Sequence, residues 1–177
     1  MTLPRITLAP GLEVPHLLTG LWQVADLERD GPPLDREAAA DALIAYADAG
    51  SDGATSMRSL TKWCPEPHQH SAQAVRAGVQ ARLDRLATDR IDLLQLHWWH
   101  FAHPGWIDVM DELHALKAEG RIGALGVTNF DADHLHLLCA EGYEIATNQV
   151  SFSVVDRRAA GDLAAVCQQH GVRLLAY

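Results

Sequence analysis

The chain has 177 residues, the length of a single domain with a sizeable core. Hydrophobic residues make up 48% of it and no low-complexity tract occurs, so an ordered globular protein is expected. The formal net charge of -9 at pH 7 argues against a nucleic-acid-binding protein, because such proteins carry a basic face.

Other features of the sequence bear on its location. No apolar run reaches the roughly 20 residues that span a bilayer, and residues 1–5 lack a signal-peptide pattern. The three cysteines, Cys64, Cys139 and Cys167, are scattered and odd in number, which favours reduced thiols over a disulfide framework. A cytoplasmic protein that binds neither membrane nor nucleic acid is expected.

The N-terminal third predicts a hairpin, a strand and a helix. The turn signal Ala9-Pro10-Gly11 lies between two short extended segments within residues 5–17. A strand is expected over 18–25 and an alanine-rich helix over 35–49, which Gly50 would end. A polar junction follows before a short strand that ends at residues 61–65.

Helices and strands then alternate regularly to the last residue. Helices are expected over 70–87, 107–118, 131–139 and 158–170, and strands over 90–97, 122–129, 145–150 and 172–177. Asp131 is an N-cap candidate, and Gly171 ends the last helix. Alternation with short links predicts an α/β fold with a parallel sheet of about six strands.

The strand that ends at His97 is a run of branched apolar residues, typical of a strand buried on both faces. In α/β folds the chemistry lies where such strands end. The residues at the predicted strand ends are Trp22, Lys62, His97, Thr128, Asn129, Gln149 and Tyr177. A lysine in a barrel mouth must be paired or have a shifted pKa, although a strand-end lysine can also extend into water.

Six short segments follow one another along the chain: GLW at 20–22, TKWCP at 61–65, LQLHW at 94–98, GRIGALGVTNF at 120–130, NQV at 148–150 and GVRLLAY at 171–177. With these segments the chain resembles the aldo-keto reductases. The Gly-Val-Thr-Asn-Phe segment followed by Asn-Gln-Val is the most specific part of the match. A lone lysine or histidine would not be specific.

The resemblance implies a TIM-barrel-type (β/α)8 fold that reduces aldehydes or ketones to alcohols with hydride from NAD(P)H, usually NADPH. In that family a tyrosine donates the proton to the carbonyl oxygen. A lysine held by an aspartate lowers the pKa of this tyrosine, and a histidine orients the carbonyl. The matching positions make Lys62 the pKa-tuning lysine and His97 the orienting histidine.

The same resemblance assigns residues to the nicotinamide cofactor. Thr128, Asn129 and Gln149 would bind the carboxamide of the nicotinamide, and Tyr177 would stack on its ring. Trp22 would help to line the mouth of the site. The small carbonyl compound that serves as substrate is not specified by these residues.

Two parts of the family pattern have no counterpart in this sequence. The strand with the catalytic Asp and Tyr, and its helix, should lie between Gly50 and Thr61, but ten residues cannot hold them and include no tyrosine. The family's last helices, eighth strand and phosphate site would follow Tyr177. We therefore expect one partial barrel domain over 1–177 with a deletion near 51–60, truncated after 177, with little or no activity. Its open sheet edges would allow self-association.

Two alternatives remain open from the residues. His97, His100 and His103, near His68 and His70, could form the metal site of a barrel hydrolase, although a spacing of three does not align side chains along a strand. The chain could also be a non-catalytic relative that acts as a binding or assembly module.

The tryptophans after the His97 strand also have two interpretations. They either shape an apolar substrate pocket or pack as core. The residues concerned are Trp98, Trp99 and Trp106.

Overall fold

The computed structural model describes residues 4–21, 35–50 and 58–177. These residues belong to two compact units, one ending at Arg58 and the other beginning at Ser59. Among them, no helix combines the length and the apolar character needed to cross a bilayer. All three cysteines are free thiols.

The first unit contains the expected hairpin and helix. Strands β1 (Arg5–Ala9) and β2 (Leu12–Pro15) pair antiparallel, and Gly11 in the turn has a φ of +75°, which favours glycine. Helix α1 (Arg36–Gly50) begins after Asp35, whose carboxylate accepts hydrogen bonds from two backbone N–H groups of the first turn. The strand expected over 18–25 is not formed over 18–21, and 22–25 lie outside the described residues.

The second unit is a five-stranded parallel sheet whose strands follow one another in sequence order. Its strands are β3 (Leu60–Trp63), β4 (Ile91–His97), β5 (Ile122–Thr128), β6 (Ile145–Val150) and β7 (Arg173–Ala176). The helices between them are α2 (Ala72–Leu86), α3 (Gly105–Ala118), α4 (Ala132–Ala140) and α5 (Asp162–His170). Sequential parallel strands with crossover helices form part of a TIM barrel, which confirms the predicted fold class, with five strands among the described residues instead of six.

One predicted helix is divided in two. The helix expected over 158–170 consists of a short 3₁₀ turn, Arg158–Ala160, followed by α5. Gly161 separates them with φ -93° and ψ -124°, values outside the helical region. Helical periodicity in the sequence does not reveal such a break.

The two faces of this sheet differ in character. Register places Trp63, Leu94, Leu96, Leu125 and Val127 on the outer face, where they join the apolar core with the helices. These side chains are 5% exposed or less, and burying a leucine side chain contributes about 1.5–3 kcal/mol. The opposite, inner face carries polar side chains towards the carboxyl ends of β3 to β6, namely Lys62, Gln95, His97, Thr128, Thr147 and Gln149.

Gly126 makes room for this polar inner face. A Cβ at this position would overlap the hydroxyl of Thr147 and would lie 3.1 Å from Cγ of Gln95. Both neighbours are buried, at 0% and 1% exposure, so neither can move freely aside.

We predict that Gly126→Ala lowers the free energy of unfolding by about 1–3 kcal/mol, the usual cost of overpacking a core. Chemical denaturation followed by circular dichroism measures the change. Gly20→Ala is the control, because a Cβ there has no atom within 4 Å. Equal stability of the two variants would show that the space beside Gly126 is not needed.

Candidate active site

The parallel register brings the candidate residues to the carboxyl edge of the sheet. Lys62 pairs with Gln95, His97 pairs with Thr128, and Thr128 pairs with Gln149. Paired residues of neighbouring strands point to the same face, as do residues two apart in one strand. Lys62, His97, Thr128 and Gln149 therefore share the inner face near this edge.

Lys62 and His97 influence each other electrostatically. Partial burial lowers the pKa of His97, and the positive charge of Lys62 lowers it further. Partial burial also lowers the pKa of the Lys62 amine, although the residue as a whole is exposed. Within the described part of the chain, no carboxylate forms an ion pair with Lys62. The amine and the neutral imidazole face a common space.

His97 is held by two neighbours that come after strands. Nδ2 of Asn129 lies 3.4 Å from Nε2 of His97, and the ring of Trp99 lies against the imidazole with centroids 4.2 Å apart. Trp99 is 63% exposed, whereas Trp98 and Trp106 are 2% and 3% exposed. Of the three tryptophans considered as pocket residues, only Trp99 offers its surface to a ligand beside His97.

Asn129 connects the ends of three strands. Its φ of +59° lies in the left-handed region, which asparagine tolerates better than most residues. Its backbone N–H donates to the carbonyl of Gln149 at 2.9 Å, and its Oδ1 accepts from the hydroxyl of Tyr177 at 3.1 Å. Together with the contact to His97, these bonds tie the loop after β5 to β4, β6 and the end of β7.

A layer of buried amides and hydroxyls lies beneath this edge. Nε2 of Gln95 donates to Oε1 of Gln149 at 3.1 Å, and Thr147 donates to Oε1 of Gln95 at 3.3 Å. Sequence reasoning missed Gln95 and Thr147. The signal was present, because Gln95 interrupts an apolar strand two residues before His97 and so faces the same side.

The hydroxyl of Thr128 is the group that fits a ligand. It is buried and has no hydrogen-bond partner within the described part of the chain. Leaving a buried polar atom unpaired costs about 1–3 kcal/mol. A carboxamide provides both donors and an acceptor, so it can satisfy this hydroxyl and the neighbouring amides of Asn129 and Gln149.

The histidines considered as a metal site do not assemble into one. Among the described residues, no group of three or more His, Cys, Asp or Glu side chains could hold a metal ion. His70 instead pairs with Asp108 at 3.0 Å, and His103 donates its backbone N–H to the carbonyl of His100. A metal-dependent hydrolase therefore has no support from the geometry.

An open cavity of about 320 Å³ lies elsewhere in the second unit. Its lining includes residues 87–89, just before β4, and Arg121, just before β5. These residues mark the amino edge of the sheet, opposite the edge that carries His97. The cavity is therefore separate from the candidate site.

Comparison with known proteins identifies the family. The model of the Aldo/keto reductase family matches residues 52–177. The chain belongs to the aldo/keto reductase family. It is 33% identical over 110 residues to the NADH-specific methylglyoxal reductase of Escherichia coli (strain K12), covering 60% of this chain and 33% of that protein. It is 28% identical over 172 residues to an aldo-keto reductase of Mycobacterium sp. (strain KMS), covering 85% and 59%.

Solved structures of aldo-keto reductases share the fold. An aldo-keto reductase (AKR2E5) complexed with NADPH aligns with a TM-score of 0.78 at 22% identity, over 99% of this chain and 62% of that one. An aldo/keto reductase from Klebsiella pneumoniae, in complex with NADP and acetate, aligns with a TM-score of 0.56 at 32% identity, over 67% and 41%. The chain spans between one third and three fifths of the length of the two curated relatives named above.

The structure of this aldo/keto reductase family member places six of the seven sequence-predicted residues at one edge. These are Lys62, His97, Thr128, Asn129, Gln149 and Tyr177. Trp22 lies outside the described residues. The catalytic and cofactor-binding roles of all seven remain predictions.

We predict that Lys62→Gln raises the pKa of His97, because a nearby positive charge disfavours the imidazolium. The titration of His97 by NMR measures the change. Lys117→Gln is the control, since Lys117 forms its ion pair with Glu144. An unchanged His97 pKa in Lys62→Gln would contradict the arrangement of the two groups.

Proposed function

We propose that the chain acts in the reduction of small carbonyl compounds with a nicotinamide cofactor, NADPH or NADH. The observation that carries this proposal is the common edge that holds Lys62, His97 and the Thr128 hydroxyl, which has no partner in the part of the chain that the structure describes. Amine, imidazole and amide groups in one open site suit a neutral, polarisable carbonyl group and a carboxamide-bearing cofactor.

The cofactor's carboxamide would be bound by Thr128, Asn129 and Gln149. The Thr128 hydroxyl is buried and has no hydrogen-bond partner among the described residues, and Asn129 and Gln149 occupy the neighbouring ends of β5 and β6. The aromatic ring of Tyr177, 60% exposed, offers a flat surface for the nicotinamide. When bound, the cofactor supplies the hydride that reduces the carbonyl carbon.

The carbonyl oxygen would lie between Lys62 and His97. Negative charge develops on this oxygen as the carbonyl is reduced, and a cation or N–H donor already in place stabilises it. Burial keeps His97 neutral over a wider pH range, so that it can orient the carbonyl by a hydrogen bond. The exposed face of Trp99 provides an apolar wall beside the imidazole.

The supply of a proton limits turnover in this proposal. Residues 51–60 contain no tyrosine, and the hydroxyl of Tyr143 donates to Asp111 on the helical side of the unit. Lys62 also lacks a carboxylate partner among the described residues. General acid catalysis contributes about 10²–10⁴-fold to the rate of such reactions. We therefore expect this chain to bind the cofactor but to reduce the carbonyl slowly. The same observations favour a non-catalytic binding module as the second candidate.

We predict that NADPH or NADH raises the melting temperature of the chain by mass action. Gln149→Leu should weaken binding about two- to tenfold, since one amide hydrogen bond contributes about 0.5–1.5 kcal/mol. Titration calorimetry measures the affinity. Gln80→Leu is the matched control, because exposed Gln80 bonds to Asp84 and Arg121 at the amino edge. No thermal shift at saturating cofactor would refute the proposed function.

A turnover assay separates the two candidates. With methylglyoxal as the carbonyl, we expect oxidation of the reduced cofactor about 10²–10⁴-fold slower than by the Escherichia coli methylglyoxal reductase measured in parallel. Residual turnover that is lost in His97→Gln supports the reductase. Cofactor binding with no turnover at all supports the binding module, and a rate within tenfold of the relative would show that a proton donor is present.

A further inference from the structure

The side-chain amide of Asn129 is shared by two neighbours. Its oxygen accepts a hydrogen bond from the Tyr177 hydroxyl at 3.1 Å, and its nitrogen lies 3.4 Å from Nε2 of His97. In this orientation the hydroxyl donates to the amide oxygen, and the amide nitrogen is directed at the imidazole.

This contact determines where His97 carries its proton. An amide nitrogen has only donors, so Nε2 of His97 must accept, and the proton of the neutral ring is then on Nδ1. Burial and the charge of Lys62 both disfavour the imidazolium, which keeps the ring in a neutral state where tautomers matter. Trp99 lies against the ring, with its plane tilted by 37°, and restrains its orientation.

We infer that Asn129 is a positioning residue for His97: it holds the imidazole as the Nδ1–H tautomer and releases it when a ligand at the nicotinamide site takes its amide. The second half of this inference rests on the proposed function. While the amide is in place, Nε2 cannot donate to a carbonyl oxygen. On release, Nδ1 gives its proton to water and Nε2 takes one from water, with no net change in protonation.

The contact between Asn129 and His97 that this release breaks is weak. The contact to His97 is long for a hydrogen bond, whereas the backbone N–H of Asn129 is bound to Gln149 at 2.9 Å. The side chain can therefore turn away from His97 and from the Tyr177 hydroxyl while the left-handed backbone stays fixed. Catalytic hydrogen bonds in a structure without ligand are often long in this way.

The test is the tautomer of His97, read from the ring nitrogen shifts by NMR in ¹⁵N-labelled protein and assigned with His97→Gln. The unliganded chain should show mainly Nδ1–H. Asn129→Gly keeps the left-handed backbone without the amide and should change the tautomer ratio about three- to tenfold towards Nε2–H, the value of one hydrogen bond. Asn129→Asp presents only acceptors, so it should invert the tautomer to Nε2–H and raise the His97 pKa.

A tyrosine variant at the site provides a further test, and a second tyrosine variant away from the site is its matched control. Tyr177→Phe should shift the ratio in the same direction as Asn129→Gly but less, because the amide loses the bond that fixes its direction. Tyr143→Phe removes a hydroxyl that contacts Asp111 and should leave the ratio unchanged. An Nε2–H tautomer in the unliganded chain, or a ratio that does not respond to Asn129→Gly and Asn129→Asp, would overturn the inference.

A second arm uses NADPH alone, with binding followed independently by thermal shift. Bound cofactor should move the wild-type tautomer towards Nε2–H and should have little effect on the tautomer in Asn129→Gly. Binding without a tautomer change would overturn the release. No binding would refute the proposed function and with it the release, while the unliganded variants still decide whether Asn129 sets the tautomer.

Discussion

The parallel register from β3 to β7 is the constraint on which the candidate site depends. Each strand pairs with its neighbour so that residues distant in sequence, from Lys62 to Gln149, reach one face at one edge. Crossover helices make this arrangement possible, because they return the chain to the amino edge after every strand. The apolar outer face supports it by packing on α2, α3 and α4.

Burying polar side chains on the inner face is unfavourable, and two features of the fold reduce this cost. Gln95 bonds to both Thr147 and Gln149, which avoids most of the free-energy cost of leaving buried amides unpaired. Gly126 omits a side chain where this layer needs room. The Thr128 hydroxyl stays unpaired within the described residues, at the edge where we propose that a carboxamide binds.

Asn129 shows how a strained position can serve a site. Its left-handed backbone turns the chain out of β5 while its N–H, its oxygen and its nitrogen contact three different elements. Such conformations persist where surrounding bonds fix them, and they are frequent at functional sites. The loop after β5 thereby links the imidazole of His97 to the residues proposed to bind the nicotinamide.

The sequence by itself determined the family, the order of the strands and helices from residue 60 onward, and most residues at the carboxyl edge, because periodicity and short motifs are local properties. It also indicated the Asp131 cap, whose carboxylate accepts from the backbone of His134. Tertiary structure alone decided that Trp99 and not Trp98 faces His97, that Gln95 belongs to the polar layer, and that Asn129 contacts both His97 and Tyr177. These contacts join residues up to 54 positions apart, and only the packing of strands fixes which side chains meet.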